Sequence, residues 1–338
     1  MRSYQLPSIE YLKLRFHLEA QLDCRLSSWK GSLLRGAFGH ALRRTVCTMR
    51  RGQQCDDCML RSQCAYTRLF ETFANGAPPP FINKDHNSPR PFIFEPSDDG
   101  QGYQPGDIVW FDIALIGNSI DYLPYVIFAI YQMGKYGLGV NRYPFELKQV
   151  FCQQCQDVPS NENDRFQADF QSQHQWHLIY DGADQKILFN PKALTLQNSS
   201  HSDDAPASIK LNFLTQTRLV FGHQLSTEFS FRQLVFKLLR RTLELAHFYT
   251  PDQTIIWEFH EYLQAANQVL ITRSNLHWKD QTRYSNRQKT KLKLGGFVGD
   301  LTLEGELAPF MDLLSYAEIL HVGKGATFGL GKVEVKSV

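Results

Sequence analysis

The chain carries one unusual pattern twice, and this constrains its fold more than any other feature of the sequence. Residues 122–151 read as an apolar helix, a loop Gly134-Lys-Tyr-Gly-Leu-Gly and a strand. Residues 310–336 repeat this order with the loop Gly323-Lys-Gly-Ala-Thr-Phe-Gly-Leu-Gly. A long pattern that recurs in order predicts that one structural unit is used twice.

The segments before each copy of the pattern also correspond. Alternating apolar residues predict a strand at 9–20 and another at 208–221. Amphipathic helices follow, one after Lys30 and one at 231–249. The segments between the helices read as strands at 91–95 and 107–117, and at 275–284 and 296–307. Each half then has the order β-α-β-β-α-β, so we predict an α+β fold with two tandem ferredoxin-like domains. The predicted parts are an N-terminal domain at 1–155 with an insert at 47–90, a polar connector at 156–207 with a small hairpin near 176–188, and a C-terminal domain at 208–338.

Composition limits the class of protein. The 338 residues are 43% hydrophobic and 21% charged, as in ordinary globular domains. The formal net charge of +2 excludes a uniformly basic nucleic-acid coat but allows a local basic face. No apolar run has the length needed to cross a membrane, and the N-terminus lacks the apolar region of a signal peptide. We therefore expect a cytoplasmic protein without a membrane partner and with reduced thiols.

Positive charge is concentrated in two segments. Residues 24–55 contain seven Lys or Arg and no acid, and residues 273–293 contain seven against the single acid Asp280. The second segment interleaves Trp278 and Tyr284 with its cations, a mixture that can pair with phosphates and stack on bases. A solvated charged face would also explain such runs. Their equivalent places in a duplicated fold favour RNA binding.

The glycine loops do not match nucleotide-binding fingerprints. Neither contains Gly-x-x-x-x-Gly-Lys-Ser/Thr, and each precedes a strand instead of beginning a helix, which argues against P-loop and Rossmann sites. A tight turn would account for two or three glycines. The four glycines at 323, 325, 329 and 331, together with Lys324, favour close approach to a polynucleotide backbone.

Three motifs resemble the RAMP superfamily, and more closely its CRISPR repeat-processing endoribonucleases. They are residues 30–43 (Lys-Gly-Ser-Leu-Leu-Arg-Gly-Ala-Phe-Gly-His-Ala-Leu-Arg), residues 283–288 and the loop at 323–331. The resemblance implies two ferredoxin-like folds across a basic cleft that bind the repeat of a CRISPR precursor transcript. It also implies one metal-independent cut per repeat, by attack of a 2′-hydroxyl that leaves a 2′,3′-cyclic phosphate. The mature guide would pass to an effector complex, and adaptation proteins are further expected partners.

The resemblance places a catalytic histidine on or just after the first helix, where His40 stands. On a helix, His40 shares a face with Gly36, Arg43 and Arg44, and an imidazole beside cations suits general acid–base catalysis. Packing of His40 against a neighbouring domain is the alternative, and His321 reads as a helix cap. Further candidate catalytic residues are Tyr284 and Lys289. The candidate RNA-binding residues are Arg35, Arg43, Arg44, Arg283, Arg287, Gly323, Lys324, Gly325, Gly329 and Gly331.

Four cysteines lie within the insert in the pattern C-x7-C-x2-C-x5-C. They are Cys47, Cys55, Cys58 and Cys64. Such thiols can close a tetrahedral site, which suits a structural zinc ion, although an iron–sulfur cluster has the same ligands. The pair Cys152 and Cys155 offers an alternative site with Cys55 and Cys58, and unligated thiols are a third reading. In either metal reading the role is structural, because a site closed by four thiolates leaves no position open for substrate.

Two other functions fit parts of the sequence. A non-catalytic RAMP subunit that holds guide RNA in an effector complex would have the same fold and basic faces without a proton-transfer residue. A zinc-bearing nucleic-acid adaptor would depend on the insert alone. We predict the endoribonuclease, with no cofactor in the reaction.

Overall fold

The computed structural model describes residues 4–49, 53–72, 79–80, 88–97, 100–153, 175–199, 206–285 and 290–337, and at 283–285 and 290–292 it describes the backbone alone. The chain divides into two compact units. The N-terminal unit comprises the described residues within 10–78 and 83–195, and the C-terminal unit those within 1–9, 79–82 and 196–338.

The described part of the N-terminal unit has one main sheet and two α-helices, with a π-helix at Thr67–Glu71 and a 3-10 helix at Gly117–Tyr122. Its elements are β1 (Ile9–Ala20), α1 (Gly31–Val46), β2 (Phe92–Pro96), β3 (Ile108–Ile116), α2 (Leu123–Tyr136), β4 (Phe145–Gln153), β5 (Trp176–Asp181), β6 (Lys186–Ile187) and β7 (Leu194–Leu196). The strand order is β2-β3-β1-β4-β5-β6, and β7 pairs with β1. A two-residue ladder joins Cys24–Arg25 to Gly102–Tyr103. The first four strands in this order have the arrangement of a ferredoxin-like domain.

The apolar stripe of α1 packs on this sheet, as its periodicity predicts. Leu34, Phe38, Ala41 and Leu42 are buried. The Phe38 ring meets Phe92 and Phe94 edge-on, with centroids 5.5 Å apart in both cases. The opposite face of α1 is left for other uses.

The other face of β1 carries a buried ion pair. The guanidinium of Arg15 donates two hydrogen bonds to the carboxylate of Asp112, at 2.7 and 2.9 Å. It also lies between two indoles, 4.1 Å from the ring centroids of Trp110 and Trp176. Since Trp176 begins β5, this contact ties the segment predicted as a connector to the N-terminal sheet.

The connector is therefore more than a linker. The hairpin predicted near 176–188 forms as β5 and β6, and it extends the sheet because Ile179 and Tyr180 are buried and β5 pairs with β4. The polar composition of the connector predicted a separate hairpin, and did not indicate that this hairpin would join the N-terminal sheet.

The C-terminal unit repeats the plan. Its elements are β8 (Ser208–Thr217), α3 (Phe231–Tyr249), α4 (His260–Ala265), β9 (Leu270–Ser274), β10 (His277–Lys279), β11 (Thr282–Ser285), β12 (Thr290–Lys293), β13 (Gly296–Glu304), α5 (Met311–Leu320) and β14 (Val333–Ser337). The strand order β9-β13-β8-β14 matches that of the first unit, and β10 also pairs with β13. Val220–Phe221 and Gln224–Leu225 form a small ribbon. The prediction of tandem ferredoxin-like domains is confirmed.

One strand of the C-terminal unit differs from its prediction. We expected a single strand at 275–284, but the second strand of this unit is β9, which ends at Ser274. The predicted segment instead contributes β10 and then β11, which forms a separate hairpin with β12. β9 is an edge strand and Leu270 is 64% exposed, so its residues lack the alternation that marks a half-buried strand.

The first described residues of the chain belong to the C-terminal unit. The backbone of Leu6 exchanges two hydrogen bonds with the side chain of Asn198, at 3.1 and 2.8 Å. The hydroxyl of Tyr316 donates to the carbonyl of Pro7 at 3.2 Å, and that of Tyr4 donates to the carbonyl of Ile256.

Among the described residues, no helix is both long enough and apolar enough to span a membrane.

Candidate active site

His40 stands on the face of α1 that does not pack on the sheet. It is exposed, and so are Gly36 and Arg44, one turn away on either side. The side chain of Gly36 is a hydrogen only, and a Cβ placed there would meet nothing within 4 Å. The helix thus presents an imidazole at an open surface of the N-terminal unit.

The end of α2 supplies an aromatic neighbour. The Tyr136 ring lies edge-on to the His40 ring, with centroids 6.4 Å apart at 84°. The guanidinium carbon of Arg44 lies 3.9 Å from the centroid of the same Tyr136 ring. Tyr136 therefore holds Arg44 beside His40 through a cation–π contact.

A second cation comes from the loop after α2. Gly137 has φ 84° and ψ 148°, a conformation essentially confined to glycine. A Cβ at Gly137 would lie 2.1 Å from the carbonyl oxygen of Arg142. The bridge between Leu138 and Tyr143 closes this turn and leaves Arg142 exposed at it. The first glycine loop thus serves to bring an arginine toward His40.

The surroundings of His40 favour its neutral form. Partial burial, and then the positive charges of Arg44 and Arg142, lower the pKa of His40 below its ordinary value. An imidazole that is neutral at physiological pH can accept a proton, and two neighbouring guanidinium groups can stabilise a developing phosphorane. The arrangement suits proton abstraction next to a phosphate.

Sequence reasoning found His40 and Arg44 but missed Tyr136 and Arg142. Arg142 lies about a hundred residues after His40 and adjoins no cluster of charge. The glycine loop that holds it was the available signal, because its glycines predict a constrained turn.

Two other arginines of α1 point into the insert. The Arg35 guanidinium lies 4.5 Å from the ring centroid of Phe70. Arg43 donates to the carbonyl of Gln53 at 3.0 Å and lies over Tyr66. The structure thus separates Arg35 and Arg43 from the His40 face, although helical spacing groups Arg43 with His40. Their predicted RNA contacts stay predictions.

Backbone amides of the C-terminal glycine loop donate hydrogen bonds within the C-terminal unit. The amides of Lys324 and Gly331 donate to the carbonyls of Arg218 and Gln216, at 3.0 and 3.1 Å. Gly331 has φ 73°, and a Cβ there would lie 1.8 Å from the carbonyl oxygen of Val322. The glycines here allow the loop to pack against its own backbone.

Gly329 and Gly331 are buried, Gly323 and Gly325 are partly exposed and Lys324 is exposed. The predicted RNA contacts of this loop stay predictions. His321, read as a helix cap, is buried, and its Nδ1 lies 3.1 Å from the carbonyl oxygen of Leu330.

The second basic segment lies mostly outside the described residues. Arg287 and Lys289 are not described, and for Arg283 and Tyr284 the structure gives only the backbone of β11. Their roles in binding and proton transfer stay predictions.

The insert packs on α1 and gathers three of its cysteines. Charge interactions link the Cys55 thiol to Cys64, Cys47 and Arg43, while burial raises the pKa of Cys55. Within the described part of the chain, which includes all four insert cysteines, no three His, Cys, Asp or Glu side chains are arranged to hold a metal ion. Zinc and iron–sulfur ligation stay predictions, and no step of the chemistry below involves a metal. Cys152, of the alternative pair, is disulfide-bonded, so its sulfur is not a free thiol for a metal site and departs from the expectation of reduced thiols. Cys155 lies outside the described residues.

Family models cover most of the chain in two parts. Residues 7–171 match a model described as the AF_1859_N N-terminal domain. Residues 211–333 match the model of CRISPR-associated endoribonuclease Cas6. No curated protein matches the sequence.

Solved Cas6 structures share the fold at low identity. A partial Cas6-RT-Cas1–Cas2 complex is similar over 98% of this chain, with a TM-score of 0.55 and 14% identity. A Cas6 product complex is similar over 96%, with a TM-score of 0.52 and 14% identity, and this chain covers 100% of it. Thermus thermophilus Cas6 gives a TM-score of 0.50 and 11% identity, over 97% of this chain and 99% of that one.

This chain spans only 47% of the length of the matched chain in the partial Cas6-RT-Cas1–Cas2 complex. The Cas6 model match confirms the resemblance to CRISPR repeat-processing endoribonucleases over residues 211–333. The solved structures confirm the tandem ferredoxin-like fold.

Proposed function

We propose that this protein is a CRISPR repeat-RNA endoribonuclease in which His40 is the catalytic base. Residues 211–333 match the Cas6 endoribonuclease model, which supports the proposal. The observation that supports the proposal is the surface His40 imidazole, whose pKa is lowered by partial burial and then by the charges of Arg44 and Arg142. A buried histidine, or one paired to a carboxylate, would argue for a structural role instead.

The proposed reaction needs only the atoms of the RNA and the side chains of the protein. Neutral His40 takes the proton of the 2′-hydroxyl, and the freed oxygen attacks the adjacent phosphorus. The O2′–P bond forms and the P–O5′ bond breaks, which leaves a 2′,3′-cyclic phosphate and a 5′-hydroxyl product. Arg44 and Arg142 offset the negative charge on the phosphorane. The departing 5′ oxygen takes a proton, for which Tyr284 and Lys289 stay the predicted candidates.

The test uses repeat RNA from the host's CRISPR array. Purified protein is incubated with it in excess EDTA, beside the same RNA with one 2′-deoxy nucleotide at the cut site. We expect cleavage in EDTA that the deoxy substitution abolishes. The variant His40→Ala should cut at least about 10²-fold more slowly and bind the deoxy RNA nearly as the wild type does.

A matched variant controls for loss of a surface histidine. His260 is exposed at the start of α4 in the other unit, so His260→Ala should cut at the wild-type rate. If the cleavage rate of His40→Ala falls by less than threefold, another residue is the general base. Tight binding without a cut, with or without added divalent metal, would identify a subunit that only holds guide RNA.

The partners proposed for this chain are CRISPR repeat RNA and the proteins that use or acquire it, either an effector complex or adaptation proteins. The likeness to a Cas6-RT-Cas1–Cas2 complex supports the adaptation proteins at the level of the fold. The insert cysteines are proposed to bind a structural zinc ion, measurable as bound metal per chain.

A further inference from the structure

Three cations of the C-terminal unit lie beside its glycine loop. They are Lys237 and Arg240, one turn apart on α3, and the exposed Lys324 of the loop. Arg240 has a carboxylate partner, because its Nε donates to Glu244 at 2.6 Å. Lys237 and Lys324 form no ion pair with any acid that the structure describes. No contacting carboxylate in this part of the chain therefore balances the charge of these two lysines.

Backbone contacts bring the glycine loop and α3 to the same short stretch of chain. The amide of Lys324 donates to the carbonyl of Arg218 at 3.0 Å, and Gly323 forms a bridge with Arg218. Phe221 follows in the small ribbon, and the Lys237 ammonium lies 5.0 Å from the centroid of its ring. The two lysines thus come from separate elements and border one place in the fold.

Aromatic rings hold the Lys237 ammonium in place without neutralising it. Besides Phe221, it contacts Phe236, whose ring centroid lies 5.7 Å away. A cation–π contact orients an ammonium but leaves it its full charge, whereas an ion pair would cancel that charge. Burial, and then the positive charges of Arg240 and Lys324, lower the pKa of Lys237. A bound anion would offset both effects, since it would attract the desolvated ammonium and screen it from its like-charged neighbours.

The acid on α3 is engaged elsewhere. Glu244 is the single acid of this helix, and it is bonded to Arg240. It also acts on the buried Arg241, whose Nε donates to the carbonyl of Leu320 at 2.6 Å. The charges that act on the Lys237 ammonium are both positive, those of Arg240 and Lys324. An anion can therefore approach Lys237 without meeting a carboxylate of α3.

We propose that Lys237 and Lys324 together bind one backbone phosphate of the RNA substrate. Ammonium groups on two elements can each contact an oxygen of the same phosphodiester, and the rings around Lys237 fix where that phosphate lies. The sequence indicated Lys324 alone, and the structure adds Lys237. This proposal rests on the proposed function, since it takes RNA to be the substrate. RNA is favoured over a small anion because both lysines lie within 211–333, the segment that matches the Cas6 model.

The test measures the affinity for uncleavable repeat RNA, with a 2′-deoxy nucleotide at the cut site, over a series of salt concentrations. Lys237→Gln should bind this RNA about tenfold more weakly than the wild type, because a charged hydrogen bond to phosphate is lost. It should also lower the slope of log affinity against log salt concentration by about 0.7, since one fewer counterion is released. Lys237→Arg keeps the charge and should keep the slope.

The control removes a lysine that already has a partner. Lys336, in the same unit, pairs with Glu334 at 3.0 Å, so Lys336→Gln should leave affinity and slope unchanged. Equal affinity and equal slope for Lys237→Gln and the wild type would overturn the proposal. So would a loss of affinity with an unchanged slope, which would indicate an altered structure and not a lost charge contact.

Inorganic phosphate is the second probe, because it carries the same chemistry without RNA. If phosphate raises the melting temperature of the wild type but not that of Lys237→Gln, while both proteins bind RNA equally, the site binds a free phosphate. That result would overturn the assignment to RNA.

Failure of the proposed function would look different. If His40→Ala cuts like the wild type while Lys237→Gln still loses affinity and slope, the phosphate site stands and another residue is the catalytic base. If His40→Ala is inactive and Lys237→Gln binds RNA as the wild type does, the active site stands and Lys237 does not contact the RNA.

Discussion

The substitution Gly137→Ala separates the position of Arg142 from its chemical identity. It leaves His40, Arg44 and Arg142 in the sequence and changes only the backbone that aims Arg142. The added Cβ would lie 2.1 Å from the Arg142 carbonyl oxygen and 2.8 Å from its Cα. Because real Cβ contacts are essentially never under 3.0 Å, the Arg142 backbone must move by about 1 Å.

A displacement of this size is large for catalysis. Misplacing a group that stabilises the transition state by about 1 Å can cost about 10²-fold in rate. The backbone conformation itself should cost the folded state about 1–3 kcal/mol, since φ 84° with ψ 148° is strained for alanine. We therefore expect slower cleavage together with a modest loss of stability.

The assay is single-turnover cleavage with protein in saturating excess over repeat RNA, which reports the chemical step. Two alanine variants separate the effect of an added Cβ near His40 from the effect of backbone strain. Gly36→Ala adds a Cβ with nothing within 4 Å, one turn from His40, and should cut normally. Gly106→Ala has the strained φ of +93° but no contact within 4 Å, so it should lose stability and keep its rate. If the Gly137→Ala variant folds and cuts RNA within threefold of the wild-type rate, the chemical step does not depend on the position of Arg142.

The remaining predictions concern proton affinity and stability. Partial burial, then the charge of Arg44 and then that of Arg142 lower the pKa of His40. Arg142→Gln should therefore raise this pKa, leave less neutral imidazole at acidic pH, and move the acid limb of the rate profile to higher pH. His40 titration by NMR checks this, with the exposed Arg25→Gln as control; an unmoved His40 pKa would contradict it. Asp112→Asn leaves Arg15 without its carboxylate at a site where the two side chains are 9% and 7% exposed, so urea unfolding should show a loss of about 3–5 kcal/mol. Asp56→Asn, which breaks a pair with Arg61 at 42% and 70% exposure, should cost about 0–1 kcal/mol, and similar losses in both variants would refute the burial argument.

The repeated architecture was predictable because it depends on local periodicity. The predicted bounds of β1 and α3 agree with the structure, since both pack one apolar face and end at polar turns. Periodicity cannot detect β9, an edge strand with few buried residues. It also cannot show that the predicted hairpin of β5 and β6 extends the N-terminal sheet by pairing with β4.

The candidate site was only half predictable. Helical spacing identifies His40 and Arg44 because both lie on one helix. It cannot show that the insert places Phe70 over Arg35 and Tyr66 near Arg43, or that a loop brings in Arg142. Composition likewise cannot tell a glycine that meets a ligand from one that meets its own backbone, as Gly331 does.

The attachment of the first residues to the C-terminal unit bears on how the protein is made. Leu6 and its partner Asn198 are 192 residues apart, and Pro7 and Tyr316 are 309 apart. At about 5–20 residues per second, a ribosome delivers these partners roughly 10 to 60 s after the leading segment has emerged. During that interval the N-terminal unit can fold while the leading segment waits. The C-terminal unit is therefore completed after the N-terminal unit, when α5 captures a segment that was translated long before it.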